Sequence, residues 1–170
     1  MLTVIILVTL GAFAQAEDES EGKLTTKYDA GKDETEISIN YLPIKATASN
    51  KVFMHLSVTF SGKKLKSKPD DVILVMSVVS LKNHRYPDIN QVNLASEGKS
   101  ISKMILLNLD QRKFSDTEIF EPLGTRIETN SLKKLGQTKA PIEFKINNGL
   151  FTIDRDVIAK LAEFHKAIVP

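Results

Sequence analysis

The sequence predicts a mainly β chain, an antiparallel β-sandwich or partly closed barrel of about 8–9 strands with a helix at its C-terminal end. Three observations carry this. Period-two alternation of apolar and polar residues recurs from Lys23 onward. Short apolar runs are separated by turn signals such as "SEGK" and "INNG". The last stretch, "DRDVIAKLAEFHKAI", changes to helical spacing.

The elements follow in chain order. In "ETEISINYL", Ile37, Ile39 and Tyr41 fall on one face. In "VFMHLSVTF", Val52, Met54, Leu56, Val58 and Phe60 form an apolar face, and Phe53, His55, Ser57 and Thr59 the more polar one. Successive strand side chains point to opposite sides, so each segment has one side in a core. "DVILVMSVVSL" is apolar on both faces, which marks Val72–Leu81 as a central strand covered on both sides. Further strands are expected at Gln91–Ala95, Ser100–Leu109 and Thr117–Ile127, the first two joined through "SEGK". "SLKKLG" suits one or two helical turns ended by Gly136. Ile142, Phe144 and Ile146 form a strand that returns through a turn at Asn147-Asn148-Gly149. Val157, Leu161, Phe164 and Ile168 then make a helical stripe, with Asp154 as N-cap and Asp156 in the first turn.

The N-terminal end has another character. "MLTVIILVTLGAFAQA" carries an apolar run too short to anchor in a bilayer, and Ala14-Gln15-Ala16 fits a small-x-small cleavage site. Its positive n-region is the α-amino group alone. Residues 1–16 are therefore read as a signal peptide, residues 17–22 as a disordered acidic tail, and residues 23–170 as one domain. The expected location is a bacterial periplasm or the exterior. There is no cysteine, so the domain relies on its core and a cysteine-linked lipid anchor is excluded. No integral span is expected in the mature chain.

The net charge of +2 is close to balanced. Lys63, Lys64, Lys66 and Lys68 cluster in "GKKLKSKP", without aromatic residues on which bases would stack, so nucleic acid is not expected as a partner. The three histidines lack ligand spacing; only His84, in "KNHRYPD", sits among loop polar groups. No G-x-S-x-G, P-loop, G-x-G-x-x-G or H-E-x-x-H sequence occurs. Asp29 and Asp33 in "KYDAGKDETEISINY" lack calcium-loop spacing and read as turn residues whose carboxylates bond nearby amides. No cofactor or metal is expected.

The order of features resembles a family of uncharacterised exported bacterial proteins. The resemblance rests on Tyr28-Asp29-x-x-x-Asp33-x-Thr35, Ser61-Gly62-Lys63, the apolar strand Val72–Ser80 before Tyr86, the hairpin "EGKSI" and the closing "FTIDRDVIAKLAEF". It implies a β-rich domain and supplies no activity.

The function expected from the sequence is a non-enzymatic exported module. It would bind an unknown protein or envelope component through the loops carrying Lys63, Lys64, Lys66, Lys68, His84, Arg85 and Tyr86. The alternative is a carrier of a small apolar ligand in a barrel-like cavity.

Overall fold

The computed structural model describes residues 22–47, 51–81, 86–109, 112–113 and 115–170. The expected signal peptide and residues 17–21 of the acidic tail lie outside them, as do His84 and Arg85. Gly22 donates its N–H to the Asn40 carbonyl at 2.9 Å.

Among the described residues thirteen elements follow one another: β1 (Leu24–Asp29), β2 (Glu34–Pro43), β3 (Lys45–Ala46), β4 (Lys51–Ser61), β5 (Asp71–Leu81), β6 (Ile89–Ser96), β7 (Lys99–Asn108), β8 (Arg112–Lys113), β9 (Glu118–Glu128), α1 (Thr129–Gly136), β10 (Ile142–Ile146), β11 (Gly149–Ile153) and α2 (Arg155–Ala167). Nine strands have five residues or more; β3 and β8 have two. Every pairing is antiparallel.

The fold is mainly β with a C-terminal helix, as expected, and hydrogen bonding joins all its strands into one sheet. The order is β1-β2-β4-β5-β9-β7-β6-β10-β11-β3, with β8 beside β9. The sheet is not closed, because β1 pairs on one side only. It nevertheless curls: β3, last in the order, continues the chain of β2 after one residue, Ile44, whose N–H reaches the Val52 carbonyl at 2.8 Å. Curling lets the inner faces of both halves share one core.

That core takes the alternating residues of each strand. Ile39, Leu56, Leu74, Val78, Leu106 and Leu123 are among its most buried members. Phe144 and Phe151 stack at 5.1 Å between ring centres, and Tyr86 tilts against Phe151 at 6.1 Å. α2 covers the core with Val157, Ile158, Leu161 and Phe164, and Ile168 follows at its C-cap.

Three local expectations change. Gly136 does not terminate α1 in a left-handed conformation; the C-cap is Gln137, at φ −94°. Glycine is required there because a Cβ would lie 2.9 Å from the Ala162 backbone, where α1 crosses α2. Asp154 holds the N-cap position, but its carboxylate pairs with Lys45 at 2.7 Å and makes no capping hydrogen bond. The β10–β11 turn is Asn147-Asn148, with Asn147 at φ 51°, and Gly149 already pairs with Ile146 as the first residue of β11.

Candidate functional site

The lysine-rich loop lies on the surface, with Lys63, Lys64, Lys66 and Lys68 all exposed. Two of these already have partners. The Lys63 ammonium sits over the Tyr28 ring, 5.1 Å from its centre, and Lys68 donates to the Asn130 side-chain oxygen at 2.6 Å.

Tyr86 is placed differently from the exposed loop position expected of it. It is 4% exposed, packs on Phe151, and donates its backbone N–H to Glu121 at 3.2 Å. Its ring is core, because the chain turns inward there to satisfy a buried carboxylate. Glu121 itself is wholly buried and also accepts from the Asn108 amide at 3.2 Å and the Ser80 hydroxyl at 3.4 Å. Nothing in the period-two pattern singles it out, since a lone glutamate in a strand usually faces water.

The Tyr-Asp segment is a turn, as read. The Asp29 carboxylate accepts the Gly31 N–H at 2.9 Å and Asp33 accepts the Tyr28 hydroxyl at 2.8 Å. The acceptance by Asp33 raises the Tyr28 pKa above its ordinary value. The hairpin is pinned to the Ser61-Gly62-Lys63 corner: the Gly62 N–H bonds the Asp33 carbonyl at 2.7 Å, and the Thr35 hydroxyl bonds the Gly62 carbonyl at 2.6 Å. Among the described residues no three His, Cys, Asp or Glu side chains converge as a metal site. Calcium or a chelator is expected to leave the melting temperature unchanged. A site held at 100 times its dissociation constant would add about 2.7 kcal/mol, an easily measured upward shift.

This hairpin borders a partly enclosed groove of about 1050 Å³ on the outer face of the sheet. The groove also takes in residues of β2, β4, β5 and β9. Its volume is at the upper end of what small-molecule sites need. Ser38, Ser57, Thr59, Ser77 and His55 supply polar atoms, while Ile73, Val75, Phe120 and Pro122 supply apolar surface. The charged residues lining it are Lys27 and Lys32 against Asp29, Glu34 and Glu36, which nearly cancel.

Tyr41 enters this groove through a β-bulge. Ile39 pairs with Leu56 and Leu42 with Met54, so three steps along β2 match two along β4. The extra residue corrects the expected face. Leu42 takes the core position at 1% exposure, and Tyr41, at φ 58°, lines the groove instead. Positive φ is unusual for a bulky side chain, and bulges often re-aim a side chain beside a site.

The Tyr41 N–H points at His55 Nδ1, 3.4 Å away, and its ring meets the imidazole edge-on at 5.2 Å. On the far side His55 Nε2 lies 3.1 Å from the Ser77 hydroxyl oxygen. Burial pushes the His55 pKa down to about 4, so the ring is neutral at pH 7. A neutral imidazole that accepts at Nδ1 carries its proton on Nε2, which therefore donates to Ser77. That direction is opposite to the one in which a histidine activates a serine nucleophile. The constellation can bind and orient polar groups; it is not set to withdraw a proton from Ser77.

No helix of the described residues is long and apolar enough to cross a membrane. Comparison with known proteins finds no matching family model, curated protein or solved structure.

Proposed function

We propose that this chain is an exported, non-enzymatic binding module whose ligand seats in the groove bordered by the β1–β2 hairpin. The observation that carries the reading is Tyr41, held at positive φ by a bulge and lining the groove beside a neutral, hydrogen-bonded His55. Strained backbone of this kind costs about 1–3 kcal/mol and points to a function for the residue it aims. The proton direction in the His55–Ser77 pair supports binding rather than catalysis. Lys63, whose ammonium lies over the Tyr28 ring of the hairpin, and the exposed lysines that follow it in the same loop would meet an extracellular or envelope partner. The interior favours the groove over a ligand carried inside a barrel, because the core is filled by tightly buried aliphatic and aromatic side chains.

Native mass spectrometry of protein isolated from its own source tests this. The wild-type chain is expected to retain a small-molecule adduct that Ser57→Trp, which fills the groove floor, loses. An equal adduct on Ser57→Trp would place the ligand elsewhere. Tyr41→Gly should also lose it while changing stability by about 1 kcal/mol or less, since relief of positive φ offsets lost ring contacts. The same measurement tests export: the expected mass begins at Glu17, and a full-length chain retaining Met1 would contradict it.

A further inference from the structure

The outer face of the sheet bears a second unexplained feature. Ile89, Ile105 and Leu107 are 63%, 50% and 45% exposed, and they cluster on β6 and β7. Residues directly opposite one another across paired strands project from the same face. Ile89 is opposite Leu107, Leu107 opposite Gly124, Gly124 opposite Val75, and Val75 opposite His55. One row therefore runs from the exposed patch into the groove. It spans four strand spacings, about 19 Å at about 4.8 Å each.

Gly124 does not interrupt the apolar character of this row. A Cβ there would lie 2.6 Å from Leu109 Cδ1, so the missing side chain is what lets Leu109 lie over β9. The row reads Ile89, Leu107, Leu109 over Gly124, Val75, and then His55 with Ser57 and Ser77 in the groove. Its polarity changes once, from apolar at β6 to the His55 imidazole at β4, with the Ser57 and Ser77 hydroxyls in the neighbouring rows. The groove end has almost no net charge, with two lysines against three carboxylates.

Resting on the groove as the ligand site, we infer that the ligand is a single-chain amphiphile, its uncharged hydroxylated head beside Tyr41, Ser57 and Ser77 and its alkyl chain along Val75, Leu109, Leu107 and Ile89. Neither end of the row explains the other by itself. A purely polar ligand leaves the exposed isoleucines and leucine without a role, and a purely apolar one would cover the Ser57 and Thr59 hydroxyls of the groove without a partner. The sequence alternative of an apolar ligand is thereby relocated from the interior to the outer face and given a polar end.

The test uses the full chain and three probes below micellar concentration: dodecyl maltoside, maltose and dodecyl sulfate. Binding is read by calorimetry and by melting temperature. Burying one methylene corresponds to about a fourfold change in affinity, so dodecyl maltoside is expected to bind far more than tenfold tighter than maltose. Leu107→Glu, at an exposed position that leaves the core intact, is expected to weaken dodecyl maltoside at least tenfold and leave maltose unchanged. Ser57→Trp is expected to weaken both. Equal affinity for maltose and dodecyl maltoside, both lost in Ser57→Trp, would overturn the alkyl-chain assignment while leaving the groove in place. Binding lost in Leu107→Glu but intact in Ser57→Trp would show a detergent coating the patch alone, and would overturn the inference. Tighter binding of dodecyl sulfate than of dodecyl maltoside would overturn the uncharged head. Failure of all three probes on a chain that still carries an adduct lost in Ser57→Trp would reject the amphiphile and keep the groove.

Discussion

A chain ended at Ile153 is expected to be insoluble or unfolded. The removed segment carries Val157, Ile158, Leu161, Phe164 and Ile168, none more than 4% exposed, and all belong to the single core cluster. Full burial of each such side chain is worth roughly 1.5–3 kcal/mol, on the order of 10 kcal/mol together before conformational entropy is counted. A domain's whole stability is about 5–15 kcal/mol. Single changes should act in proportion: Leu161→Ala or Phe164→Ala is expected to cost about 2–5 kcal/mol in denaturant unfolding. Gly136→Ala tests the same contact from the other helix, since its Cβ would meet the Ala162 backbone at 2.9 Å; overpacking of this kind costs about 1–3 kcal/mol. A truncated chain that stays soluble and melts cooperatively at the original temperature would instead make α2 a partner-binding element.

Acid is expected to destabilise the protein through His55 well before general acid denaturation is complete. Its folded pKa, about 4, lies below the ordinary 6.5 because burial disfavours the imidazolium. The unfolded chain therefore takes up this proton first as the pH falls. The stability linked to His55 is fully present above pH 6.5, declines between 6.5 and 4, and stops changing below 4, where both states are protonated. One pKa unit is about 1.4 kcal/mol, so the whole loss is about 3 kcal/mol. His165 contributes in the same direction, since burial and the nearby Lys133 and Lys68 lower its pKa. The decisive measurement is the slope of unfolding free energy against pH for the wild type and for His55→Gln. The variant is expected to be flatter between pH 6.5 and 4 whatever its absolute stability. Identical slopes would mean that His55 is not held neutral.

The sequence by itself determined what depends on near neighbours along the chain. Alternation placed β2 and β4, the run apolar on both faces placed β5, and the turn residues of "SEGK" placed the β6–β7 hairpin, where Glu97 and Gly98 both have positive φ. The four-three-four stripe placed α2 and named the face it buries. Asp29 and Asp33 were legible as turn residues because their partners lie two and five residues away. The tertiary structure alone decided what depends on register between distant segments. One extra residue at the β2 bulge sends Leu42 inward and Tyr41 into the groove, a reversal that strict period two cannot show. Tyr86 becomes core because Glu121, thirty-five residues on, accepts its N–H. Gly136 is a helix-crossing contact because Ala162 arrives beside it. The row from Ile89 to His55 joins five strands whose order, β6-β7-β9-β5-β4, is not their order in the chain. Periodicity tells each strand which residues share a face; only long-range pairing and the curl of the sheet decide which faces meet, and the groove exists only once they do.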